Sequence, residues 1–419
     1  MKKGWERKKL GEVCALINRG VAPKYIESGG LAVLNQKCVR EHQISFELAR
    51  RHDGAAKKVA PERFIRLGDV LVNSTGTGTL GRVAQVRSEP PEPATVDTHI
   101  TIVRPEPHRF YPDFFGYMLI QIEDEIARSG EGASGQTELA RSTLQNKFTV
   151  SFPASISEQE RIVAILDEAF AGLATATANA ETNLKNARDL FESYREAIFD
   201  ARGEGWTECP LGELVEIKHG FAFESKYFRP EGDYVLLTPG NFFEEGGYRD
   251  RGDKQKYYVG EIPDGFILKK GDFLIAMTEQ AAGLLGSSII VPEDNRFLHN
   301  QRLGLVQLKS GTPWSNEFFF HAFNTRRFRR EAHDSASGVK VRHTSPTKLG
   351  NITIGFPKSR EKQDKVAMQL TDLLGETERL AERYELKLSL ISELKQAILQ
   401  RAFTGELSSP AQAINEAAE

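Results

Sequence analysis

The chain is 419 residues long, which is enough for two or three domains with cores of their own. Its 40% hydrophobic and 27% charged residues are typical of a globular protein in water, and its net charge of -3 does not indicate a nucleic-acid binder. No run of about 18 apolar residues is present, so we expect no membrane span, and the basic N-terminus lacks the apolar segment of a secretory signal. Cys14, Cys38 and Cys209 are few and far apart, which predicts reduced thiols and a cytoplasmic protein.

Short strand-like segments and helical segments are mixed in residues 1–153. DVLVNS, RVAQV and ITIVRP read as strands broken by glycine and proline, and PDFFGYMLIQIEDEIAR reads as a helix. This mixture predicts an α+β domain with mixed α/β content. Residues 154–204, which contain no internal proline, predict one long helix.

The rest of the chain repeats this order. GWERKKLGEV at Gly4 returns as GWTECPLGELVEI at Gly205, and RLGDVLVNS returns as KKGDFLIAM. FTVSFP matches ITIGFP, and SEQERIVAIL matches EKQDKVAMQL, so that Gln159 pairs with Gln363. A repeat this long is not a solenoid period and indicates a duplicated domain-plus-helix unit. The predicted segments are a first domain 1–153, a central helix 154–204, a second domain 205–357, a C-terminal helix 358–407 and a flexible tail 408–419.

The two predicted helices carry apolar residues at alternating spacings of four and three. The pattern runs from Val366 to Ile398 in the second copy and from Ile162 to Tyr194 in the first, where many positions are alanine. Such spacing favours a coiled coil, so we expect the helices to pack antiparallel with the domains related by a pseudo-twofold axis. Ordinary packing of each helix on its own domain is the alternative.

Gly76, Gly78 and Gly81 in STGTGTLGRV form the pattern G-x-G-x-x-G of dinucleotide-binding enzymes. That fingerprint needs a helix after the loop, but RVAQVRSEPPEP is β-branched and then broken by proline. The matching loop of the second copy, TEQAAGLLGSSIIV, also leads into a strand. The sequence therefore predicts a strand–turn–strand loop, which is either a plain hairpin or a close approach of backbone to a nucleic-acid phosphate.

Signals for catalysis are weak. The chain has no NPPY-like or DPPY-like methyltransferase tetrapeptide, no H-E-x-x-H and no C-x-x-C, and its histidines lack metal-ligand spacing. We expect no catalytic residues, no metal site and no bound cofactor.

The ordered, duplicated motifs resemble the specificity subunit of type I restriction–modification enzymes over nearly the whole chain. The resemblance rests on GWERKKLGEV, GWTECPLGELVEI, GDVLVNSTGTGTLGRV, FPASISEQERIVAIL and LKQAILQRAFTGEL. The second copy departs from it in lacking the G-T-x-G core and in having Lys362 where the first has Glu158. The first copy ends its helix with YREAIFDARGEGW rather than the AFTGEL pattern.

The resemblance implies a non-catalytic subunit with two target recognition domains. Each domain would read one half of a bipartite double-stranded DNA target, mainly through the major groove. The helices would set the gap and dock two modification (methyltransferase) subunits, and restriction subunits join such a core in that family. S-adenosylmethionine, ATP and Mg would belong to those partners. The competing interpretations are a coiled-coil adaptor that binds only protein and a dinucleotide-dependent enzyme.

Side chains that suit base edges or phosphates identify the predicted DNA contacts, for each of which a solvated surface role is the alternative. In the first copy they are Asn35, Gln36, Lys37, Asn73, Thr75, Thr77, Arg82, Gln136 and Arg141. In the second copy they are Asn241, Thr278, Gln280, Lys340, Arg342 and His343, with Arg326, Arg327, Arg329 and Arg330 as phosphate contacts. The predicted contacts with partner subunits are Ile162, Leu166, Leu190, Tyr194, Val366, Leu370, Leu394 and Ile398.

Overall fold

The structure is a computed structural model that describes residues 3–131, 137–279 and 283–408. The chain divides into two compact units. Unit 1 consists of Met1–Ala180 and Leu386–Glu419, and unit 2 consists of Glu181–Glu385. Unit 1 therefore takes in a C-terminal stretch far along the chain, and the unit boundaries fall inside two of the predicted helices, which the five predicted segments did not anticipate.

The elements of the first repeat are mostly short strands followed by three short helices and one long helix. The strands are β1 (Trp5–Lys9), β2 (Cys14–Arg19), β3 (Tyr25–Ile26), β4 (Leu31–Leu34), β5 (Val39–Arg40), β6 (Gln43–Ile44), β7 (Arg50–His52), β8 (Val70–Asn73), β9 (Val83–Gln85), β10 (Ala94–Val96), β11 (Ile100–Pro105) and β12 (Thr149–Pro153). The helices are α1 (Phe114–Gln121), α2 (Glu123–Arg128), α3 (Arg141–Asn146) and α4 (Ile156–Ala201).

The second repeat has the same order of elements with small differences. Its strands are β13 (Trp206–Pro210), β14 (Val215–His219), β15 (Phe228–Arg229), β16 (Tyr234–Leu236), β17 (Tyr257–Tyr258), β18 (Phe273–Ala276), β19 (Thr278–Glu279), β20 (Ser288–Ile290), β21 (Phe297–Leu298), β22 (Leu303–Leu308), β23 (Arg342–His343) and β24 (Thr353–Pro357). Its helices are α5 (Leu211–Leu214), α6 (Asn316–Phe323), α7 (Arg326–Asp334), α8 (Pro346–Gly350) and α9 (Arg360–Thr404).

The sheets of the two units have equivalent strand orders. Unit 1 has an antiparallel sheet β2-β11-β8-β9 and a second sheet β10-β4-β7-β3, and unit 2 has β14-β22-β18-β20 and β21-β16-β17-β15. In both second sheets the outer strand runs parallel to its neighbour, as β10 does to β4 and β21 to β16. A separate pair closes each domain, with Trp5 opposite Pro153 and Trp206 opposite Pro357. The α+β fold and the internal repeat are thus confirmed.

Each main sheet is buried on both faces because its central strands are mostly apolar. In β8, Val70 and Val72 pack into the core that includes α1, whereas Leu71 points to the core shared with the second sheet. Side chains of a strand alternate between its faces, so one strand serves both cores. Phe273 and Leu274 of β18 divide in the same way in unit 2.

The long helices pack antiparallel inside each unit. In unit 1, Arg161 of α4 donates to the carbonyl of Leu407, and Lys395 of α9 lies 5.4 Å from the ring centre of Phe170. Residue numbers rise along one helix as they fall along the other, which defines the antiparallel sense. In unit 2, Arg188 and Glu385 form an ion pair of 2.7 Å between the same two helices.

The predicted apolar register fails toward the end of α4. Leu190 and Tyr194 are 52% and 42% exposed, whereas Phe191 and Arg195 turn inward. A straight α-helix has 3.6 residues per turn, so a strict seven-residue pattern drifts off the contact face after several turns.

One long helix has the length and composition that a membrane span would need. Among the described residues, α4 contains an 18-residue window with a mean hydropathy of 1.2, only 17% of it buried. This match rests on length and composition alone and does not make the helix a membrane span. Its N-terminal end, with Ile162 and Leu166, is packed in the core of unit 1.

Candidate nucleic-acid interface

The glycine loop of unit 1 joins two antiparallel strands, as predicted. The amide of Gly81 donates to the carbonyl of Asn73 at 2.8 Å, and the amide of Asn73 donates to the carbonyl of Arg82 at 2.9 Å. Gly76, Gly78 and Gly81 all have positive φ. A Cβ at Gly81 would lie 2.5 Å from Cα of Ala127, so glycine is required where the loop meets α2.

The loop is held by polar contacts with two other segments and by one contact of its own. The hydroxyl of Thr79 donates to the side-chain oxygen of Gln36 at 3.2 Å, and Thr75 Oγ1 lies 2.6 Å from Nδ1 of His99. A guanidinium nitrogen of Arg82 donates to the carbonyl of Gly78 at 3.0 Å. Gln36, Thr75 and Arg82 are therefore brought together around one loop, each partly exposed and already engaged with a neighbour.

Two predicted contacts in unit 1 serve the domain itself. Asn73 is fully buried, and its Nδ2 donates to the carbonyl of Gln36 at 3.0 Å. Asn35 caps a 3-10 turn by accepting from the amide of Lys37 at 2.9 Å. The prediction that Asn73 contacts a base is corrected, since a base edge cannot reach a fully buried amide.

The exposed members of the predicted set in unit 1 are Lys37, Thr77 and Arg141. Arg141 begins α3, and its guanidinium reaches Asn18 Oδ1 at 3.5 Å. Gln136 lies outside the described residues.

Arg19 and His99 belong to the same surface but were missed from the sequence. Arg19 forms a 2.6 Å ion pair with Glu138 and donates to the carbonyl of Leu139 at 2.7 Å. His99 precedes β11, and Arg302 precedes the matching strand β22 in unit 2. The internal repeat could have identified His99 and Arg302 as equivalent positions.

A shared pattern of backbone hydrogen bonds holds the loop in both units. The amide of Leu139 donates to the carbonyl of Ser74 at 2.8 Å, and that of Thr344 to Met277 at 3.0 Å. Likewise Ser74 N–H donates to His99 at 2.8 Å, and Met277 N–H donates to Arg302 at 3.0 Å. The two candidate surfaces are therefore equivalent in backbone while differing in side chains.

In unit 2 a hairpin at residues 337–343, which we name the tip hairpin, lies beside the loop. Ser337 and His343 exchange two backbone hydrogen bonds of 2.9 Å, and His343 pairs with Thr278 of β19. Nδ1 of His343 is 3.0 Å from the hydroxyl of Thr278. Arg342 reaches Nε2 of His333 at 2.6 Å and donates to the His333 carbonyl at 3.0 Å. The hairpin presents Lys340 and His343 as exposed side chains.

The loop of unit 2 is held from inside by a carboxylate and a guanidinium. Oε2 of Glu279 accepts from the amides of Gly283, Leu284 and Leu285 at 3.1–3.2 Å. Arg329 donates to the carbonyls of Leu285 at 3.0 Å and Glu244 at 2.8 Å, and also to that of Gly283. Burial lowers the pKa of Arg329 to about 10.

Three further predictions in unit 2 are revised by burial. Arg329 is partly buried, and its guanidinium is engaged by three backbone carbonyls of the protein, which removes it as the predicted phosphate contact. Asn241 is fully buried, with Oδ1 accepting from the amide of Thr238 and Nδ2 donating to Gln255, both at 3.0 Å. Thr278 is 4% exposed. Gln280 lies outside the described residues.

The remaining arginines of α7 are exposed but lie among carboxylates. Arg327 pairs with Glu331 at 3.0 Å and with Glu208 at 3.4 Å, and the amide of Arg326 donates to Glu196. Arg330 is exposed. Neutralisation by neighbouring acids reduces what Arg327 can add to phosphate binding.

The predicted partner contacts divide into buried and exposed groups. Ile162, Leu166 and Leu370 are fully buried. They stabilise the units themselves and are closed to a partner, which corrects the prediction for them. Val366 and Ile398 are partly buried against the cores. Leu190, Tyr194 and Leu394 are exposed, as are Met368, Leu386 and Leu390, which lie outside the predicted set.

No group of three or more His, Cys, Asp or Glu side chains suited to a metal ion occurs within the described part of the chain. Cys14, Cys38 and Cys209 are free thiols, and burial raises the pKa of each.

Comparison with known proteins shows to which family this duplicated architecture belongs. The family model for the type I restriction modification DNA specificity domain matches twice, over residues 2–185 and 203–388. The chain therefore belongs to the family of type I restriction–modification specificity subunits, with two target recognition domains.

Individual relatives are more distant. The EcoBI type I restriction enzyme specificity subunit of Escherichia coli is 27% identical over 207 residues, which span 49% of this chain but only 40% of that protein. A chain from a structure describing complex assembly and conformational transition of the type I R-M system superposes with a TM-score of 0.75 at 18% identity, covering 96% of this chain and 98% of that one. The HsdS subunit from Thermoanaerobacter tengcongensis gives a TM-score of 0.58 at 18% identity, with 97% and 98% coverage. At such identities these structures support the fold alone.

Proposed function

We propose that this chain is the non-catalytic DNA-specificity subunit of a type I restriction–modification complex. Each unit reads one half of a bipartite double-stranded DNA target, and the two long helices set the gap between the halves. The methyl donor S-adenosylmethionine, and any ATP and Mg, are held by partner subunits. This chain supplies base selection and positioning.

The observation that supports the proposal is the duplicated backbone pattern carrying different side chains. Both units hold a loop on the Ser74–His99 or Met277–Arg302 backbone pair. Gln36 and Arg82 lie at the loop of unit 1, and Lys340 and His343 are presented beside that of unit 2. Base edges in the major groove are distinguished by such donors and acceptors. One backbone with two side-chain sets suits two different half-sites.

Single substitutions in each unit test this assignment. The complex of this chain with its modification subunits is assayed by gel shift on duplexes altered in one half-site at a time. Arg141→Ala should relax selectivity in one half, and Lys340→Ala in the other. Lys58→Ala, at another exposed lysine, serves as the control and should change neither. Loss of selectivity in the same half for both variants would contradict one half per unit.

The exposed apolar residues of the helices support docking of two methyltransferase subunits. Leu190 and Tyr194 on α4, and Leu386, Leu390 and Leu394 on α9, are spaced four residues apart, so each set forms an exposed apolar stripe on one helix face. Contiguous apolar patches of this kind mark protein contact. Leu190→Ser combined with Tyr194→Ser should reduce co-purification with the modification subunit while leaving the melting temperature of the chain nearly unchanged. A complex that assembles normally with this double variant would place the docking surface elsewhere. Partner binding without any sequence-selective DNA shift would favour a protein-binding adaptor.

A further inference from the structure

The most exposed apolar side chain at the candidate interface is Val339, at the tip hairpin of unit 2. It is 98% exposed, whereas the next large apolar residues among those described, Met368 and Leu386, are 61% exposed. Those two lie on α9, where the proposed docking of a partner subunit would account for them. Val339 does not lie on a helix face, since it projects from the end of a hairpin.

The hairpin that carries Val339 is pinned at its base. Ser337 and His343 are joined by two backbone hydrogen bonds of 2.9 Å, and the hydroxyl of Ser335 lies 2.8 Å from that of Thr344. Arg342 fastens the returning strand to α7 through His333. The projection of Val339 is therefore set by several contacts on both sides of the hairpin.

The tip itself is tightly turned. Gly338 has a φ of +104°, and a Cβ there would lie 2.1 Å from the carbonyl oxygen of Val341. Only glycine fits this turn, which fixes the direction of the next residue. Valine is also stiff about χ1, so its two methyl groups are presented in few orientations.

Unit 1 has equivalent bridges at the corresponding position but a different sequence between them. Glu131 and Glu138 form a bridge there, as Ser337 and His343 do, and Glu138 bridges to Thr75 as His343 pairs with Thr278. The residues between these bridging positions read GASGQT in the first repeat and GVKVR in the second. Equivalent bridges with different sequences between them suit two readers of different half-sites.

We infer that Val339 is a specificity-determining residue that contacts the C5-methyl group of a thymine in the half-site read by unit 2. The thymine methyl is the apolar feature of base edges in the major groove, and a small aliphatic side chain is its complement. The adjacent Lys340 is exposed and can neutralise a nearby phosphate. This inference rests on the proposed function, since it names one contact of the same DNA interface.

The test removes the methyl group from the DNA and its contact from the protein. Once methylation mapping has defined the target, each thymine of both half-sites is replaced singly by deoxyuridine, which lacks only the methyl. The complex with modification subunits should bind about fourfold more weakly to one of these duplexes, the effect of burying one methyl-sized group. Val339→Ser should bind that duplex and its thymine parent equally well, as in a double-mutant cycle.

Val259→Ser is the matched control, because Val259 is an exposed valine elsewhere in unit 2, at 52%. It should keep the fourfold preference for thymine. Sequence-selective binding that is insensitive to deoxyuridine at every position would overturn the inference while leaving the proposed function intact. So would a target without thymine, or a Val339→Ser variant that weakens both duplexes alike, which would assign the tip to a protein partner. Absence of any sequence-selective binding would instead contradict the proposed function.

Discussion

Gln159 and Gln363 occupy the same position in the two repeats and make the same pair of hydrogen bonds. Nε2 of Gln159 donates to the carbonyl of Pro153 at 2.9 Å, and Nε2 of Gln363 donates to that of Pro357 at 2.8 Å. Their Oε1 atoms accept from the amides of Tyr111 at 2.8 Å and Ser315 at 2.9 Å. Both side chains are fully buried. Each glutamine joins the first turn of a long helix to the last strand of its domain.

Replacing Gln363 by methionine, which has a similar volume, should destabilise the protein by about 2–3 kcal/mol, because a buried amide and a buried carbonyl lose their partner. Urea unfolding followed by circular dichroism measures the change. Gln369→Met is the control, since Gln369 is an exposed glutamine on the same helix. Equal stability of the two variants would show that the junction does not depend on this side chain.

The glycine loop offers a pair of substitutions that separates backbone strain from crowding. Gly78 and Gly81 both have positive φ, but a Cβ at Gly78 meets nothing within 4 Å, whereas one at Gly81 meets Ala127. Gly78→Ala should cost about 1–2 kcal/mol, the price of a left-handed backbone. Gly81→Ala should cost about 1–3 kcal/mol more through overpacking. Thermal melting checks the order, and the reverse order would refute the packing of α2 on the loop.

Acid should destabilise unit 2 through two buried histidines. Burial lowers the pKa of His299 and of His321 from 6.5 to about 4. Their neutral forms are favoured in the folded protein, and the unfolded chain takes up the protons near pH 6.5. The stabilisation is complete above pH 6.5 and is lost as the pH falls toward 4. At pH 5 the loss should be about 2 kcal/mol for each histidine.

His321→Phe isolates one half of this effect. His321 lies between the rings of Phe191 and Phe320, at 6.0 and 5.4 Å, which suit an aromatic replacement. The variant should lose less stability than the parent between pH 7 and pH 5, measured by chemical unfolding. His219→Gln, at an exposed histidine, should follow the parent. An unchanged pH profile for His321→Phe would mean that His321 titrates normally.

Substitutions of two neighbouring arginines of α7 should affect different properties, DNA affinity in one case and thermal stability in the other. Arg330→Ala should weaken DNA binding by similar factors on all sequences and reduce the slope of log affinity against log salt by about 1. Arg329→Ala should lower the melting temperature instead, because Arg329 holds the carbonyls of Leu285 and Glu244. A salt slope that changes only for Arg329→Ala would contradict the inward orientation of that side chain.

The repeat, the α+β class and the strand–turn–strand loop could be predicted from the sequence, because duplicated motifs and glycine positions record backbone requirements directly. The orientation of Arg329 could also have been predicted from the sequence. Thr325, Phe328, Arg329 and Ala332 have the spacing of one helix face, and that face is the buried one. Treating the arginines of α7 as one basic edge overlooked this periodicity.

Other features depend on tertiary contacts that spacing does not encode. Asn73 and Asn241 carry the same amide group as an asparagine that reads a base, and only their burial shows that they do not reach DNA. The exposure of Leu190 follows from the gradual drift of a straight helix away from a seven-residue pattern. Val339 carried no sequence signal, since an isolated valine near a glycine is common.

The most direct test of two units reading two half-sites is a map of methylated bases across a genome whose host carries this chain with its modification subunits. We predict one motif with two specified parts separated by a constant unspecified gap, and its disappearance when this chain is deleted. A single continuous motif, or a methylation pattern unchanged by the deletion, would contradict the account.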